Sequence, residues 1–384
     1  MMYPQVWMID PTGAKRGILP YRSLAAVEKF LAVGTFRVEA ELTEANARAA
    51  AAGWRLAIML GSSPIMAGQL TEPEMSYGQE SGGRIVPTIT YVGEDDMGWL
   101  RDRLAYPVPA NALSAQTNAY DIRTDDASTV ILGYVNDNAG PGAQVARRVP
   151  GLILDPDPVA GGTVTGRARF EKVLPLCAEL ADGAAIGFRV VSDTTTVKRF
   201  QVFVPRDLRG PARFSTGLRN LAMLKWRLNA PTATTIIGGG RGEETARSFI
   251  SQTNATETTA WGGRREDFYD FRSASGTDSN AELTEGTARK LNESASTEQV
   301  QFLPIDTEAL KYGRDYGLGD RVTVGVFGTQ VTVQATIREV EHRVTKADGY
   351  RVLPRAGDIG ASGATRQRSI LDAAVARLSN LERR

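Results

Sequence analysis

The chain has 384 residues, too many for one compact core, so two to four domains are expected. Its 45 basic and 44 acidic residues leave a net charge of +1, which argues against a dedicated nucleic-acid binder. One Cys rules out an internal disulfide, and no apolar run approaches the length of a membrane span.

The N-terminus, Met1-Met2-Tyr3-Pro4-Gln5, lacks the basic and apolar regions of a signal peptide, so folding in a cytoplasm is expected. The 39 glycines, with many Thr and Val, favour β structure rich in turns. Val6 to Ile9 reads as a strand, and Asp10-Pro11-Thr12-Gly13 as a turn. Thr35 to Ala40 is a second strand, with Phe36 and Val38 on one face. Glu44 to Ala52 fits one or two helical turns. Trp54 to Leu60 and Ile65 to Leu70 form a hairpin about Gly61-Ser62-Ser63-Pro64. Arg84 to Val92 alternates, and Pro87 demotes it to an edge strand or a bulge. Met97, Leu100 and Leu104 fall at helical spacing behind Glu94-Asp95-Asp96, where the helix dipole favours acidic groups; Pro107 and Pro109 end that helix.

Residues 120–200 read as an α/β insert. Val130, Ile131, Tyr134 and Val135 give one helical face, with Asp125 and Asp126 at its start. Phe170, Val173, Leu174, Cys177 and Leu180 give another, in which Pro175 is tolerable only in the first turn. Gly187 to Val191 and Arg199 to Val204 read as a strand pair. Leu221 to Leu228 and Thr232 to Ile237 are a further pair around Asn229-Ala230-Pro231, the second broken by Gly238-Gly239-Gly240. Residues 242–272 suit a β excursion. Ser279-Asn280-Ala281-Glu282 fits a capping box opening a helix to about Leu291.

The most regular stretch runs from Tyr312 to Leu353. Gly317 and Gly319 permit a tight turn, and Asp320 can hold nearby backbone N–H groups. Val322, Val324 and Val326 alternate, Gly328-Thr329 turns, and Val331, Val333, Ala335 and Ile337 alternate again. The phase then slips to Val340, His342 and Val344, as at a bulge that bends a strand into a barrel. Tyr350 to Leu353 is a last strand, stopped by Pro354. After a small, flexible stretch, Leu371, Ala374, Leu378 and Leu381 fall at heptad a, d, a and d positions. They fit the start of a trimeric coil or a helix docked on its own domain.

Candidate chemistry is thin. His342 is the only histidine, so a two-histidine metal site is impossible, and its strand position suits an ordinary half-buried residue. Cys177 on an apolar helical face suits a buried small hydrophobe. Asp95 and Asp96 suggest acid/base work or a metal, but a helix N-terminus explains them equally. Asp155 and Asp157 lie in a stiff loop with Pro156 and Pro158, without an EF-hand pattern. The Gly238–Gly242 run lacks the Lys-Ser/Thr of a phosphate loop. Trp54, Trp99, Trp226 and Trp261 can line a sugar cleft, though scattered Trp residues suit a core. No catalytic, cofactor or metal set survives, which favours a structural role.

A series of segments is similar to one family. It comprises Gly93-Glu94-Asp95-Asp96 with Trp99-Leu100 and Arg103-Leu104-Ala105-Tyr106-Pro107; Tyr120-Asp121-Ile122-Arg123-Thr124; and Val130-Ile131-Leu132-Gly133-Tyr134-Val135-Asn136. Arg147-Arg148-Val149-Pro150-Gly151-Leu152, Gly166-Arg167-Ala168-Arg169-Phe170 and Gly187-Phe188-Arg189-Val190 follow. Ala230-Pro231-Thr232-Ala233-Thr234, Gly239-Gly240 with Gly242-Glu243, Gly313-Arg314-Asp315-Tyr316 and Leu318-Gly319-Asp320-Arg321-Val322-Thr323-Val324 complete it. Over about residues 1–355 the chain resembles the minor tail proteins that form the tail-tip hub of long-tailed (siphovirus) phages and prophages of actinobacteria, relatives of baseplate hubs.

The resemblance implies an α+β, mainly β fold: two small β-barrels of tail-tube type with inserted α/β domains. The corresponding division is 1–105 for the first barrel, 106–211 for the α/β insert, 212–240 plus 300–356 for the second barrel, 241–299 for an inserted β/helix subdomain, and 357–384 for a linker and C-terminal helix. It implies a homotrimeric ring at the virion tail tip, assembled in the host bacterial cytoplasm. The ring joins the distal tail protein to fibre or receptor-binding proteins, meets the tape-measure protein, and closes or gates the channel through which DNA passes unread. Some wider hub proteins carry a cell-wall hydrolase after the hub; the end at Arg384 leaves no room for one here. The competing readings are a tail-tip cell-wall hydrolase, which calls for a carboxylate pair, and a carbohydrate-binding adhesin, which calls for an exposed aromatic platform. Trp261 is the one suggestive residue for the latter.

Overall fold

The computed structural model describes residues 2–79, 85–194, 196–242, 244–271, 279–305, 307–325 and 332–357. The chain is mainly β and divides into two units: Met1–Arg206 with Glu339–Leu353, and Asp207–Arg338 with Pro354–Arg384.

In the first unit the strands are β1 (Gln5–Ile9), β2 (Lys15–Ile18), β3 (Tyr21–Lys29), β4 (Thr35–Glu41), β5 (Arg55–Leu60), β6 (Ser63–Gln79) and β7 (Ile85–Asp95), with helix α1 (Glu44–Arg48) before β5. They pair antiparallel in the order β3-β4-β7-β6-β5-β1-β2. Alternation delivers one face to a core of Val6, Leu24, Ala26, Phe36, Val38, Leu56, Ile58, Ile89 and Tyr91. The Tyr91 hydroxyl donates to the Asn46 carbonyl at 2.7 Å, which satisfies its one polar atom inside that core. The predicted Asp10–Gly13 turn is present. Asp10 Oδ1 accepts from the Thr12 and Ala14 N–H groups, and Gly13 takes a φ of 85°. The Thr12 hydroxyl and the Arg16 guanidinium also donate to this carboxylate, and together these bonds hold its pKa at about 2.

Three expectations change here. First, β2 and β3 have no counterpart in the sequence reading. In β3, Ala25 and Val27 alternate with the buried Leu24 and Ala26, so both faces are apolar and the period-2 signal is blurred. Second, Pro87 leaves only the first part of β7 as an edge. β7 lies between β4 and β6, and β4 stops pairing opposite Thr88, so the missing Pro87 N–H interrupts no β4 ladder bond. Third, the helix expected from Asp95 to Leu104 shrinks to α2, Gly98–Arg101. Gly93–Asp95 finish β7, and Leu104 instead bridges to Lys172.

Residues 120–200 mix helices with strands. Strands β8 (Asp121–Asp126), β9 (Leu152–Leu154), β10 (Thr163–Ala168), β11 (Gly187–Ser192) and β12 (Lys198–Phe203) flank α3 (Ala127–Asn138) and α4 (Val173–Gly183). β8 pairs with β10; β12 pairs antiparallel with β11 and parallel with β9. The predicted apolar face of α3 is buried. Pro175 is the third residue of α4, in the first turn, where its absent N–H costs no helical bond. Phe170 lies outside α4 with a φ of 65°.

In the second unit are β13 (Arg213–Phe214), β14 (Leu221–Asn229), β15 (Thr235–Gly239), β16 (Phe249–Thr253), β17 (Glu266–Asp270), β18 (Thr297–Pro304) and β19 (Arg321–Gly325), with α5 (Ala255–Ala260) and α6 (Ser279–Glu293). The two strands predicted around Asn229–Pro231 exist but are not partners. β14 pairs with β18, while β15 is the centre of a separate β16-β15-β17 sheet. Gly238 and Gly239 do not break β15; they lie inside it. A Cβ on Gly238 would sit 2.2 Å from Thr287 Oγ1 of α6, so glycine is what allows helix and strand this close. Phe214, Phe302 and Tyr316 form the aromatic centre, with ring centroids 4.9 and 5.0 Å from Phe214.

Two last strands, β20 (Thr332–Thr345) and β21 (Gly349–Gly357), contribute to both units. The first part of β20 pairs antiparallel with β19. Its buried set, Val333, Ala335 and Ile337, gives way to Val340, His342 and Val344 where the strand turns from β19 to β3 as partner. The phase slip therefore marks the passage from one unit to the other. The Gly317–Asp320 turn forms with the Gly317 N–H donating to Asp320 at 2.8 Å; Gly319 has a φ of 88°, whereas Gly317 needs no positive φ. Pro354 does not stop β21, which continues to Gly357 and pairs with β18 from Arg355 onward. Among the described residues no helix is long and apolar enough to cross a membrane.

Candidate functional site

The adjacent carboxylates Asp95 and Asp96 are placed in opposite settings. Asp96 faces Arg55 of β5 in a two-pronged pair, with bonds of 2.8 and 2.6 Å, and only 11% and 1% of the two side chains exposed. This joins the start of α2 to the sheet. Nearby Lys198 is bound to the Pro150 carbonyl at 2.9 Å, and burial followed by the Arg55 charge lowers its pKa. Asp95 Oδ1 accepts from the Met97 N–H at 3.1 Å. Burial, with the negative charges of Asp96 and Glu28 adding to it, raises the Asp95 pKa to about 8. One carboxyl anchors an arginine and its neighbour keeps its proton at neutral pH. They do not converge on a common point as a catalytic pair must.

The other candidates are also absorbed by structure. His342 is 2% exposed, with Nδ1 2.8 Å from the Tyr350 hydroxyl and Nε2 2.7 Å from Glu28. It is more buried than its strand pattern suggests, with the Tyr350 ring stacked beside it and Glu28 of β3 on its Nε2. Asp155 accepts from Arg199 and Gln201, and Asp157 accepts from Ser128, Thr129 and the Val159 N–H. The acidic loop is thereby tied to α3 and β12. No group of three or more metal-ligating side chains occurs among the described residues. Trp54, Trp99, Trp226 and Trp261 are each half-buried on separate segments and build no shared platform. The heptad residues Leu371, Ala374, Leu378 and Leu381 lie outside the described residues.

Cys177 is fully buried on α4, and burial lifts its thiol pKa to about 12. The thiolate needed for attack is scarce at neutral pH. In native protein this thiol is expected to resist an aromatic disulfide reagent, reacting only at the rate of unfolding; fast stoichiometric labelling without denaturant would contradict that.

The outer part of the β6–β7 pair extends past its sheet neighbours. β5 pairs with β6 only as far as Gln69, and β4 pairs with β7 only from Thr88, yet the hairpin ladder continues to Gln79 opposite Ile85. Met75 and Tyr77 stand on the side that Ile89 and Tyr91 turn to the core, and are 49% and 76% exposed. Two strands alone are marginal in water, and here their core-facing side runs past the core. The sequence reading missed this extension, though Pro73, Met75 and Tyr77 alternate with Glu74 and Ser76. In the second unit, an open pocket of about 550 Å³ is lined by Asp207, Arg209, Arg213 and Gln334, among others. Arg209 there is held by Asp207 and by Gln334 Oε1 at 2.8 Å.

The mainly β fold is one found in phage tail proteins. The chain is a member of the family described as Siphovirus ReqiPepy6 Gp37-like protein, which matches residues 4–358. Its fold is similar to the 43 kDa tail protein of prophage MuSo2 from Shewanella oneidensis, with a TM-score of 0.57, 13% identity, and coverage of 92% of this chain and 98% of that one. It is also similar to the tail protein from Neisseria meningitidis MC58, with a TM-score of 0.54, 14% identity, and coverage of 93% and 97%. A search of curated protein sequences found no match.

Proposed function

We propose that this chain is the structural hub of a siphovirus tail tip. In this reading three copies form a ring that joins the distal tail ring to the fibre or receptor-binding parts and closes or gates the DNA channel. The observation that supports it most is the similarity to tail proteins over 92% and 93% of the chain, which spans both units rather than one shared module. Two barrels per chain, the first within 1–105 and the second within 212–240 and 300–356 but without β15, which pairs in its own sheet, give three copies six barrels to set against a six-fold tube. The distal tail protein, the tape-measure protein and the downstream fibres are the partners, and DNA passes without being read. In this reading the role is structural, and the carboxylates singled out as candidate chemistry, Asp96, Asp155 and Asp157, are engaged by Arg55, by Arg199 and by the hydroxyls of α3.

We assign the β6–β7 extension to the contact between copies, where a neighbouring chain covers Met75 and Tyr77. The heptads at Leu371, Ala374, Leu378 and Leu381 are assigned to a coil below the ring. Light scattering across a concentration series is expected to give a mass near three times 41.4 kDa. Tyr77→Asp with Met75→Asp should shift it to the monomer, and Leu371→Asp with Leu378→Asp should weaken association. A wild-type monomer at every concentration, alone and with the distal tail protein added, would sink the ring reading.

A further inference from the structure

The glycine run that the fold left without a ligand leads to a second surface. In the β16-β15-β17 sheet, one face packs on α6: a Cβ on Gly238 would meet Thr287 and Leu283, and the Gln252 amide donates to the Thr284 carbonyl. On the opposite face, register sets Phe249 and Asp270 on either side of Gly239, and Ser251 and Phe268 on either side of Ile237. Phe249 and Phe268 are 56% and 49% exposed, with ring centroids 6.4 Å apart and planes tilted by 51°.

These rings are propped. A Cβ on Gly239 would lie 2.6 Å from Arg247 Nη2 and 2.7 Å from the tip of the Phe268 ring, so glycine leaves the slot that the guanidinium fills. Arg247, with 10% of its side chain exposed, donates to the Gly239 and Gly240 carbonyls at 3.1 Å each and to Asp270 at 2.5 Å. Its guanidinium carbon stands 5.5 and 5.4 Å from the centres of the two rings. A nearly buried charge with three protein acceptors is a fixed support, so the two phenyl groups are held open to solvent at a set angle.

We propose that Phe249 and Phe268 form a saccharide-binding platform, taking the C–H face of one pyranose ring. Two half-exposed phenyl rings offer about 200 Å² of apolar surface, against about 800 Å² per partner in a stable protein interface. Around them the face turns polar: Ser251, Thr253 and Glu266 are exposed and Asp270 is half-exposed, so the apolar patch does not extend. A sugar matches that layout. Its axial C–H groups meet the electron-rich ring faces, and its hydroxyls donate to Asp270 and Glu266 and exchange bonds with Ser251. The site goes beyond the hub role and does not depend on the chain forming a ring.

The test uses the full chain on a printed array of bacterial surface oligosaccharides, with hits measured in solution by saturation-transfer NMR. Binding by the wild type is expected, with transfer to ring C–H protons. Phe249→Ala and Phe268→Ala should each weaken it about tenfold, while Phe268→Tyr retains it. Both alanine positions are solvent-facing, and unchanged thermal unfolding confirms that the variants are folded. No retained saccharide at millimolar concentration overturns the proposal, as does binding that survives in the double alanine variant. Loss of self-association rather than of glycan binding in that variant would also overturn it, by making the platform a protein contact.

Discussion

Asp96→Ala is expected to destabilise the first unit by about 3–5 kcal/mol, the range for removing one partner of a buried ion pair. Arg55 has nowhere else to go. It sits in β5 between β1 and β6, its Nε already lacks a hydrogen-bond partner, and the Lys198 ammonium lies close enough to repel it. Without Asp96 the guanidinium stays buried and unneutralised, and α2 loses its tie to the sheet. Urea unfolding at neutral pH, followed by a probe in the first unit, reads the loss as a lower midpoint. The decisive companion is Arg55→Leu with Asp96→Leu. Much of the lost stability should return there, because the cost of an orphaned buried charge vanishes with the charge. A single variant within about 1 kcal/mol of wild type would mean that the pair is no better than a surface bridge.

That pair shows where the sequence stopped being legible. Glu94-Asp95-Asp96 reads as the charged start of a helix because Met97, Leu100 and Leu104 follow at helical spacing. The spacing is real, but the backbone is still finishing β7 at Asp95, and the partner that fixes Asp96 lies 41 residues upstream on β5. Local periodicity carries no information about such a partner. Where one face of a strand meets one core, by contrast, alternation is enough. Val333, Ala335 and Ile337 are all buried as read, and the slip to Val340 marks a true change of partner strand.

β3 failed the same test because Ala25 and Val27 put apolar residues on its second face too. Gly238 and Gly239 read as a break because glycine is poor in strands. Their reason is tertiary: a helix on one side of the sheet and a buried guanidinium on the other each need the space of a missing Cβ. The aromatic platform was sought among the Trp residues, which are individually half-buried. It emerged from two Phe residues 19 positions apart, brought side by side only by the pairing of β16 and β17 with β15.

The neighbouring carboxyl should behave in the opposite way to Asp96. Asp95→Asn is expected to stabilise the protein at alkaline pH and to leave it little changed below about pH 3.8. The folded chain holds the Asp95 proton up to about pH 8, chiefly because of burial, while the unfolded carboxyl releases it near 3.8. The Gly34 and Met97 N–H groups favour the ionised form, but they do not outweigh burial and the charges of Asp96 and Glu28. Below pH 3.8 both states keep the proton, so Asp95 makes no pH-dependent demand on folding. Between there and pH 8 the folded state binds the extra proton, and stability falls as pH rises, by about 1.4 kcal/mol per unit at most. Above pH 8 the folded carboxyl ionises too, and the loss stops growing. Because the site keeps some access to water, the total penalty is about 2–4 kcal/mol rather than the full product of slope and window. Asparagine imitates the protonated acid in shape and has no proton to lose. The stability difference between variant and wild type should therefore grow from pH 5 to pH 8 and then level off, a comparison in which the other titrating groups cancel. A difference that stays constant across that range would show that Asp95 is ionised in the folded chain.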